Sequence, residues 1–537
     1  MKLAELIIAE ARERGLRHFF GLPGGGSPLD MMEAGRRYGV DFISTAHEST
    51  AGIAAAYYGL MKQTAGLALS VKGVGAANLA GGAANAYFER VPVVCLSETS
   101  PGSVTQRDMV QHCDHATLFG AVTKFQATLS PDAAPQQIRD AVAAAVGGRP
   151  GPVLLNLPSD LGTAEAGDFL GVGAPPSPPE PHPARLAEVR AFVESTERLL
   201  VIAGTDVVRH GAGDALLHFV EACGAALLVN MDARGVFPES HPRWAGVLMG
   251  NYIPGIAETE IMDRADGLLL VGADSMMTHV PFATDLPTCE LVADEAYETL
   301  SPQPQVRVDG DLKAALESLS DLQREGLPEA DIAAAAAAIM PNFERPQGAR
   351  FAALDVIEII REQLPADGVL VAETGVFVPL LERVWRVDRC GAYLGTAGGR
   401  TMGLTLPALL GAKLAAPEVP MIGLGADGSL LMRLGELEAF ARTGVAAPIV
   451  IVNDQALGTM KSRQKARGMA EYELDLHSVD LAATARACGL EGVVAPTPEE
   501  LEKALGDAMD SPRTTLIDAR VDPQPYQDGF GPMVGLS

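Results

Sequence analysis

Apolar residues fall in short runs bounded by glycine, proline or small polar residues, and stretches with helical spacing lie between the runs. Over residues 1–168 the runs are HFFGLPG, DFIST, GLALSV, VPVVCL and GPVLLNLP. Each is short for a helix and too continuously apolar for a strand with one wet face, so it predicts a strand buried on both sides. Such strands alternating with helices predict an α/β fold built on a doubly wound parallel sheet, whose active groups sit at the strand carboxyl ends. The pattern recurs over residues 185–322, in LLVIAGTDVV, AALLVNM, GLLLVGA and CELVAD, and again over residues 346–537, in GVLVAETGVF, Val419–Leu424 and PIVIV. Between the units lie GVGAPPSPPEPHPAR and PNFERPQGAR, too proline-rich for helix or sheet. Three doubly wound domains are predicted, in keeping with a chain of 537 residues, too long for one core.

Charge and cysteine usage narrow the setting. The formal net charge of −27 argues against a nucleic-acid footprint, which needs a concentrated basic surface, and reads as solubility. The six cysteines are far apart and show no CxxC or zinc-like spacing, as expected of reduced thiols. The amino-terminal MKLAELIIAEARERG is an amphipathic helix with charges throughout, not a secretory leader, and no run reaches the roughly 18 apolar residues of a membrane span. A cytoplasmic location without membrane association is the expectation.

The most informative stretch is Gly423–Gly458. An apolar strand runs into a small-residue turn holding Asp427, a helical stretch follows over about Leu430–Thr443, and a second strand ends at Asn453-Asp454. A right-handed crossover returns the second strand parallel to the first, so Asp427 and Asp454 are expected side by side. Two hard oxygen ligands beside free N–H groups at Gly428 and Ser429 suit a divalent cation carrying a diphosphate. The plainer alternative is a βαβ unit whose acids only cap its helix.

The stretch resembles the thiamine diphosphate motif of the 2-oxo acid decarboxylase and acetolactate synthase superfamily, which begins GDG and ends NN. Ala426 stands for the first glycine and Asp454 for the second asparagine, and Gly458 follows at the family's distance. The resemblance implies Mg²⁺ held by Asp427, Asp454 and the backbone carbonyl of Ala456, with Gly428 and Ser429 at the diphosphate. It also implies that Gly375 and Val376, in ETGVF, touch the diphosphate. Met402, in GGRTMGLTLPALLG, would support the bend of the cofactor, and the carbonyl of Arg400 would bind its 4′-amino group. Met460 would face the substrate.

Further matches extend the resemblance over nearly the whole chain. Glu48, in AHESTAGIAAAYYGL, matches the catalytic glutamate that contacts N1′ of the aminopyrimidine. Gly25, in FGLPGGGSPLD, would lie near the reacting carbon and leave a roomy pocket. SVKGVGAAN corresponds to the family's GPGATN, with Asn78 matching and Lys72 replacing a small residue. DMVQHCDHATLFGAVTKF resembles an acetolactate synthase pattern in which Gln111 and Lys124 match, and His112 is a candidate for polarising the substrate. His112 and His115 would share a face if this stretch is helical. GADSMMTHVPF is similar to a benzoylformate decarboxylase segment, which makes His279 a candidate proton donor or acceptor. The turns AGTDVV and GADSMMTH lack the glycines and the RFDDR run of FAD-containing acetolactate synthases, so FAD is not expected.

By this resemblance the three units are a pyrimidine-binding domain (1–168), a central domain (185–322) and a diphosphate-binding domain (346–537). Glu48 and the metal motif meet in the family only across a subunit interface, which implies a homodimer or homotetramer. The expected reaction is thiamine diphosphate- and Mg²⁺-dependent decarboxylation of a small 2-oxo acid through an enamine intermediate, of the benzoylformate decarboxylase kind. The alternative is an acetolactate synthase-type carboligase joining two 2-oxo acids. A reading of another class is a catalytically silent thiamine diphosphate-binding protein.

Overall fold

The structure, a computed structural model, describes residues 1–101, 110–171, 173, 177–250, 255–278, 282–298, 300, 303–338 and 350–525. His279, one of the predicted site residues, lies outside the described residues.

Among the described residues the apolar runs form 18 strands in three parallel sheets of six. The first sheet contains β1 (His18–Gly21), β2 (Asp41–Ser44), β3 (Gly66–Ser70), β4 (Val93–Thr99), β5 (Gln126–Thr128) and β6 (Pro152–Pro158), in the spatial order β2-β1-β3-β4-β6-β5. The second contains β7 (Leu199–Ala203), β8 (Ala226–Asn230), β9 (Trp244–Leu248), β10 (Gly267–Val271), β11 (Thr288–Val292) and β12 (Val306–Asp309), ordered β12-β11-β10-β7-β8-β9. The third contains β13 (Val369–Ala372), β14 (Tyr393–Gly395), β15 (Met421–Ala426), β16 (Pro448–Asn453), β17 (Glu491–Ala495) and β18 (Thr515–Arg520), ordered β14-β13-β15-β16-β18-β17. The central strands β3, β7, β10 and β16 are buried along their whole length, as their unbroken apolar sequence requires.

In each sheet the chain winds outward in one direction and then crosses to wind in the other. The reversals fall between β1 and β3, between β7 and β10, and between β13 and β15. At such a point neighbouring loops leave in opposite directions and open a crevice at the strand carboxyl ends, the usual ligand site of this architecture.

The first and third sheets share an apolar core. Helix Glu48–Met61 (ESTAGIAAAYYGLM) is buried nearly all round because its small residues let neighbours approach from every side. Its partners are helix Val74–Phe88 and, from the third unit, helix Thr405–Ala415. A side chain on Gly411 would collide with the carbonyl of Ala54, so glycine there sets how closely the two units pack. The stretch after Asp427 is not one helix. It forms helix Asp427–Leu431, a single 3₁₀ turn at Leu434–Glu436 and helix Leu437–Thr443. No described helix is long and apolar enough to cross a membrane.

Candidate active site

The crevice of the third sheet holds the Asp427–Asp454 stretch. Registered pairing of Ala426 with Val452 puts the ends of β15 and β16 side by side, so Asp427 and Asp454 follow adjacent strand ends. Asp427 is buried, and its Oδ2 accepts the N–H of Gln455 at 2.8 Å. Burial above all, and the charge of Asp454 next, raise its carboxyl to about 7. Asn453 bridges two places: its Nδ2 donates to the buried Asp518 at 2.7 Å, and its Oδ1 accepts, at 3.2 Å, the same Gln455 N–H that Asp427 accepts. Asp454 Oδ1 accepts the N–H of Ala456 at 3.1 Å, which folds the chain back on itself.

Ala456 faces Asp475 in an antiparallel bridge whose hydrogen bonds are made by its neighbours, Leu457 N–H to Leu474 and Leu476 N–H to Gln455. The carbonyl of Ala456 therefore points away from that pairing, on the side of its own N–H and hence of Asp454. The Gly428 N–H donates to Asp427 Oδ1 at 2.7 Å, so in this arrangement it is engaged by the carboxylate, whereas the sequence suggested a free amide for phosphate. Ser429 is buried.

Glu373, at the end of β13, closes the other side of the crevice. Its buried carboxyl accepts the N–H of Ala426 at 2.9 Å and of Thr405 at 3.3 Å, and burial pushes it up to about 7. Gly375 and Val376 follow directly. Val376 and Asp454 both crowd the backbone of Gly458, where any side chain would strike the Asp454 carboxylate. Helix Gly458–Ala466 begins there and carries Met460, 41% exposed. Met402 is 36% exposed and reaches within 3.8 Å of where a side chain on Gly428 would begin, so an open apolar surface lies beside the metal loop. Arg400 has φ of 44°, a left-handed conformation that glycine adopts without cost, and its guanidinium donates to Glu382 at 2.7 Å.

The crevice of the first sheet holds Glu48. It opens helix Glu48–Met61, where His47 caps the helix by accepting the N–H of Ser49 at 3.2 Å. Its carboxylate is buried and accepts from Asn78 Nδ2 at 2.9 Å. A side chain on Gly75 would approach Glu48 Oε1 to 3.0 Å, which leaves that oxygen room only because position 75 is glycine. A side chain at Gly25 would meet nothing within 4 Å, so that turn borders open space. Lys72 lies 3.7 Å from the buried Glu98, whose other oxygen accepts the N–H of Ser27 at 3.0 Å. The ammonium is thus tethered beside the glycine turn instead of pointing freely to solvent.

Gln111 and His112 lie on an exposed turn. Gln111 has φ of 61° and packs its backbone on Gly73, and His112 Nδ1 lies 3.2 Å from Ser100 Oγ. His115 does not share a helical face with His112, because the helix starts only at His115 (His115–Phe119). It is buried, accepts the Gly73 N–H through Nε2 at 3.3 Å, and so must donate from Nδ1 to Asn156 Oδ1 at 3.0 Å. Its role is to hold the Gly73 turn as a neutral ring, with burial lowering its pKa.

The two crevices are linked within the chain by contacts that no motif announces. Arg433 donates to Ser49 Oγ at 2.7 Å and Thr50 Oγ1 at 3.2 Å, and Glu436 accepts the Ala46 N–H at 3.1 Å. The crevice of the second sheet is filled instead. Arg149, reaching in from the first unit, is buried between Asp206 and Asp274, at 3.4 Å from each, donates to the Ala273 carbonyl at 2.8 Å and stacks on Tyr297.

Three family comparisons match this arrangement in order along the chain: the thiamine pyrophosphate enzyme N-terminal TPP binding domain over residues 1–118, the central domain over 186–319 and the C-terminal TPP binding domain over 373–519. A "probable acetolactate synthase large subunit" of Methanocaldococcus jannaschii is 27% identical, covering 97% of this chain and 92% of the relative. The acetolactate synthase isozyme 2 large subunit of Escherichia coli K12 is 26% identical over 97% of this chain and 96% of its own length. The acetolactate synthase large subunit of Corynebacterium glutamicum is 25% identical over 96% and 86%. With three parallel sheets in the family's order and family domains matched in each, the chain belongs to the superfamily of thiamine diphosphate-dependent enzymes acting on 2-oxo acids.

Proposed function

We propose that the chain is a thiamine diphosphate- and Mg²⁺-dependent enzyme that decarboxylates a 2-oxo acid and joins the remainder to a second 2-oxo acid, an acetolactate synthase-type carboligase. The observation that carries the choice is the match, over nearly full length, to relatives named acetolactate synthase large subunits. It displaces the decarboxylase outcome preferred from sequence to second place. That second reading keeps one support: the helix carries Arg463-Gln464 where acetolactate synthases have a tryptophan that shapes substrate choice.

The residues fit the group. Among the described residues no three His, Cys, Asp or Glu side chains form a metal site. A cation between Asp427 and Asp454 would therefore be completed by backbone and phosphate oxygens, the hard donor set Mg²⁺ prefers. Asp427, Asp454 and the Ala456 carbonyl would hold the cation, residues 375–376 and Ser429 the diphosphate, joined by the Gly428 N–H once the cation draws Asp427 Oδ1 away from it, and the Arg400 carbonyl and Met402 the ring portion. When bound, the cofactor supplies an electron sink for loss of CO₂. Glu48 supplies a carboxylate able to exchange a proton with a ring nitrogen, and the Asn78 amide fixes its orientation. The open space at Gly25 would admit substrate, and across the subunit interface the exposed Met402 and Met460 would give it an apolar wall that excludes water. Glu48 and the metal loop would be completed across subunits, in a homodimer or homotetramer.

FAD does not fit the central unit, because Arg149 and its two aspartates occupy the crevice in which a doubly wound sheet takes a nucleotide. No step is assigned to it. The test is a panel of 2-oxo acids incubated with protein, Mg²⁺ and thiamine diphosphate, with CO₂ and products identified. Acetohydroxy acids are expected. Aldehyde as the main product would replace the carboligase with the decarboxylase, and no CO₂ from any acid would favour a silent binding protein.

A further inference from the structure

Glu89 is a buried carboxylate outside every motif, 7% exposed, just past the end of helix Val74–Phe88. Its partners all belong to the third unit. Oε1 accepts from Thr396 Oγ1 at 2.9 Å and from the Gly399 N–H at 3.0 Å, and Oε2 accepts the Ala397 N–H at 2.8 Å. The Thr396 hydroxyl, having donated to Glu89, accepts the Thr401 N–H at 3.2 Å. One turn back along the helix, Asn85 Nδ2 donates to Thr401 Oγ1 at 2.9 Å.

The turn is shaped to this helix end. A side chain at Gly398 would strike the Phe88 carbonyl, and one at Gly399 would come within 2.7 Å of Glu89 Oε1. Two backbone N–H groups and a hydroxyl converging on one carboxylate are strong, directional bonds in a site shielded from water. They hold the turn through a strained residue, Arg400, whose φ of 44° would otherwise relax, and they deliver Met402 half-open to the metal loop.

The helix carries a second assignment. Asn78, which fixes Glu48, precedes Asn85 by seven residues and Glu89 by eleven. At 100° per residue all three lie within about 20° of one line along the helix, over roughly 16 Å. One helix face therefore addresses Glu48 at its start and the Thr396–Met402 turn at its end.

We infer that Glu89 is a positioning residue for thiamine diphosphate: it acts through the Thr396–Met402 turn, whose Arg400 carbonyl and Met402 side chain would hold the cofactor. The inference rests on the cofactor assignment made above. A carboxylate that only stabilised the contact between units would affect melting but not affinity in the folded protein, and this separates the two roles.

The experiment is calorimetric titration of the full chain with thiamine diphosphate and Mg²⁺, at a temperature where circular dichroism shows each variant folded. Glu89→Gln places an amide where backbone donors expect an acceptor, and Thr396→Val removes one donor while keeping shape; both should weaken binding, the first by roughly tenfold or more. Thr396→Ser, which keeps the hydroxyl, should bind as the wild type does. Glu89→Gln and Thr396→Val proteins that melt lower but bind with wild-type affinity overturn the inference. If Glu89→Gln does not fold, Thr396→Val against Thr396→Ser decides it: equal affinity in the two overturns it, and weaker binding by the valine variant alone supports it. A wild-type protein that binds no thiamine diphosphate overturns the proposed function instead, and this inference with it.

Discussion

Asn78 donates its side-chain N–H to Oε2 of Glu48 at 2.9 Å, so the carboxylate proposed to work on the cofactor is aimed by the next helix and not by its own. Glu48→Gln keeps the shape and a hydrogen-bonding group but cannot take a proton. Turnover, read as CO₂ release with saturating cofactor, should fall by about 10²–10⁴ with melting temperature little changed. A variant within a few fold of wild type would remove Glu48 from the reaction.

The metal assignment separates two neighbours. Asp427→Asn should abolish Mg²⁺-dependent binding of thiamine diphosphate, and a chelator should do the same to the wild type reversibly. Asp454→Asn installs the family's residue and keeps an oxygen ligand, so binding should persist with altered Mg²⁺ dependence. Asn453→Ala removes no proposed ligand, only the bond to Asp518 and one acceptor of the Gln455 N–H, so it should change Mg²⁺ dependence far less than Asp427→Asn. Titration calorimetry with Mg²⁺ varied checks all three.

Glu373 gives a pH signature. Its carboxyl is ordinarily near 4.5 and burial raises it to about 7 in the fold. Between those values the folded protein keeps a proton that the unfolded chain has lost, so its contribution to stability is full below 4.5 and is lost as pH rises to about 7. Glu373→Gln stays neutral and should lose less stability over that window, by up to a few kcal/mol. Denaturant unfolding of both proteins at pH 5 and pH 8, without cofactor, measures the difference. Parallel profiles would mean that Glu373 is ionised throughout.

Arg149 joins the first and central units by a buried charge network, and removing it leaves Asp206 with Arg209 and Asp274 with Arg90 as their remaining cations. Arg149→Met should cost about 1–3 kcal/mol in unfolding, the loss being of charged hydrogen bonds while each aspartate keeps another arginine. The wild-type protein should carry no flavin absorbance when purified and should gain none with added FAD. Tight FAD binding by the wild type would show that the crevice opens.

The strands were legible because burial on both faces demands continuous apolar runs, a property of neighbouring residues alone. The pairing of Asp427 with Asp454 was legible for a similar reason: they follow the ends of strands that a short crossover forces side by side. The neighbouring Asn453 shows what spacing does not give: its amide donates to Asp518, a partner 65 positions away, and accepts the Gln455 N–H. His112 and His115 show where local spacing failed. A shared face required the stretch to be helical, and the chain turns at 110–111 and is irregular to 114, leaving one exposed and burying the other against Gly73 and Asn156.

What the sequence determined by itself was the α/β class, the three parallel sheets and the family, because strand burial and motif spacing are written over short stretches of chain. Only the tertiary structure decided which charges meet. Glu89 reaches Thr396 across 307 positions, Arg433 reaches Ser49 across 384, and Arg149 fills a crevice made by Asp206 and Asp274. Each is an ordinary surface-type residue until folding removes it from water, and the cost of burying an unpaired charge then makes its partner a requirement of the fold.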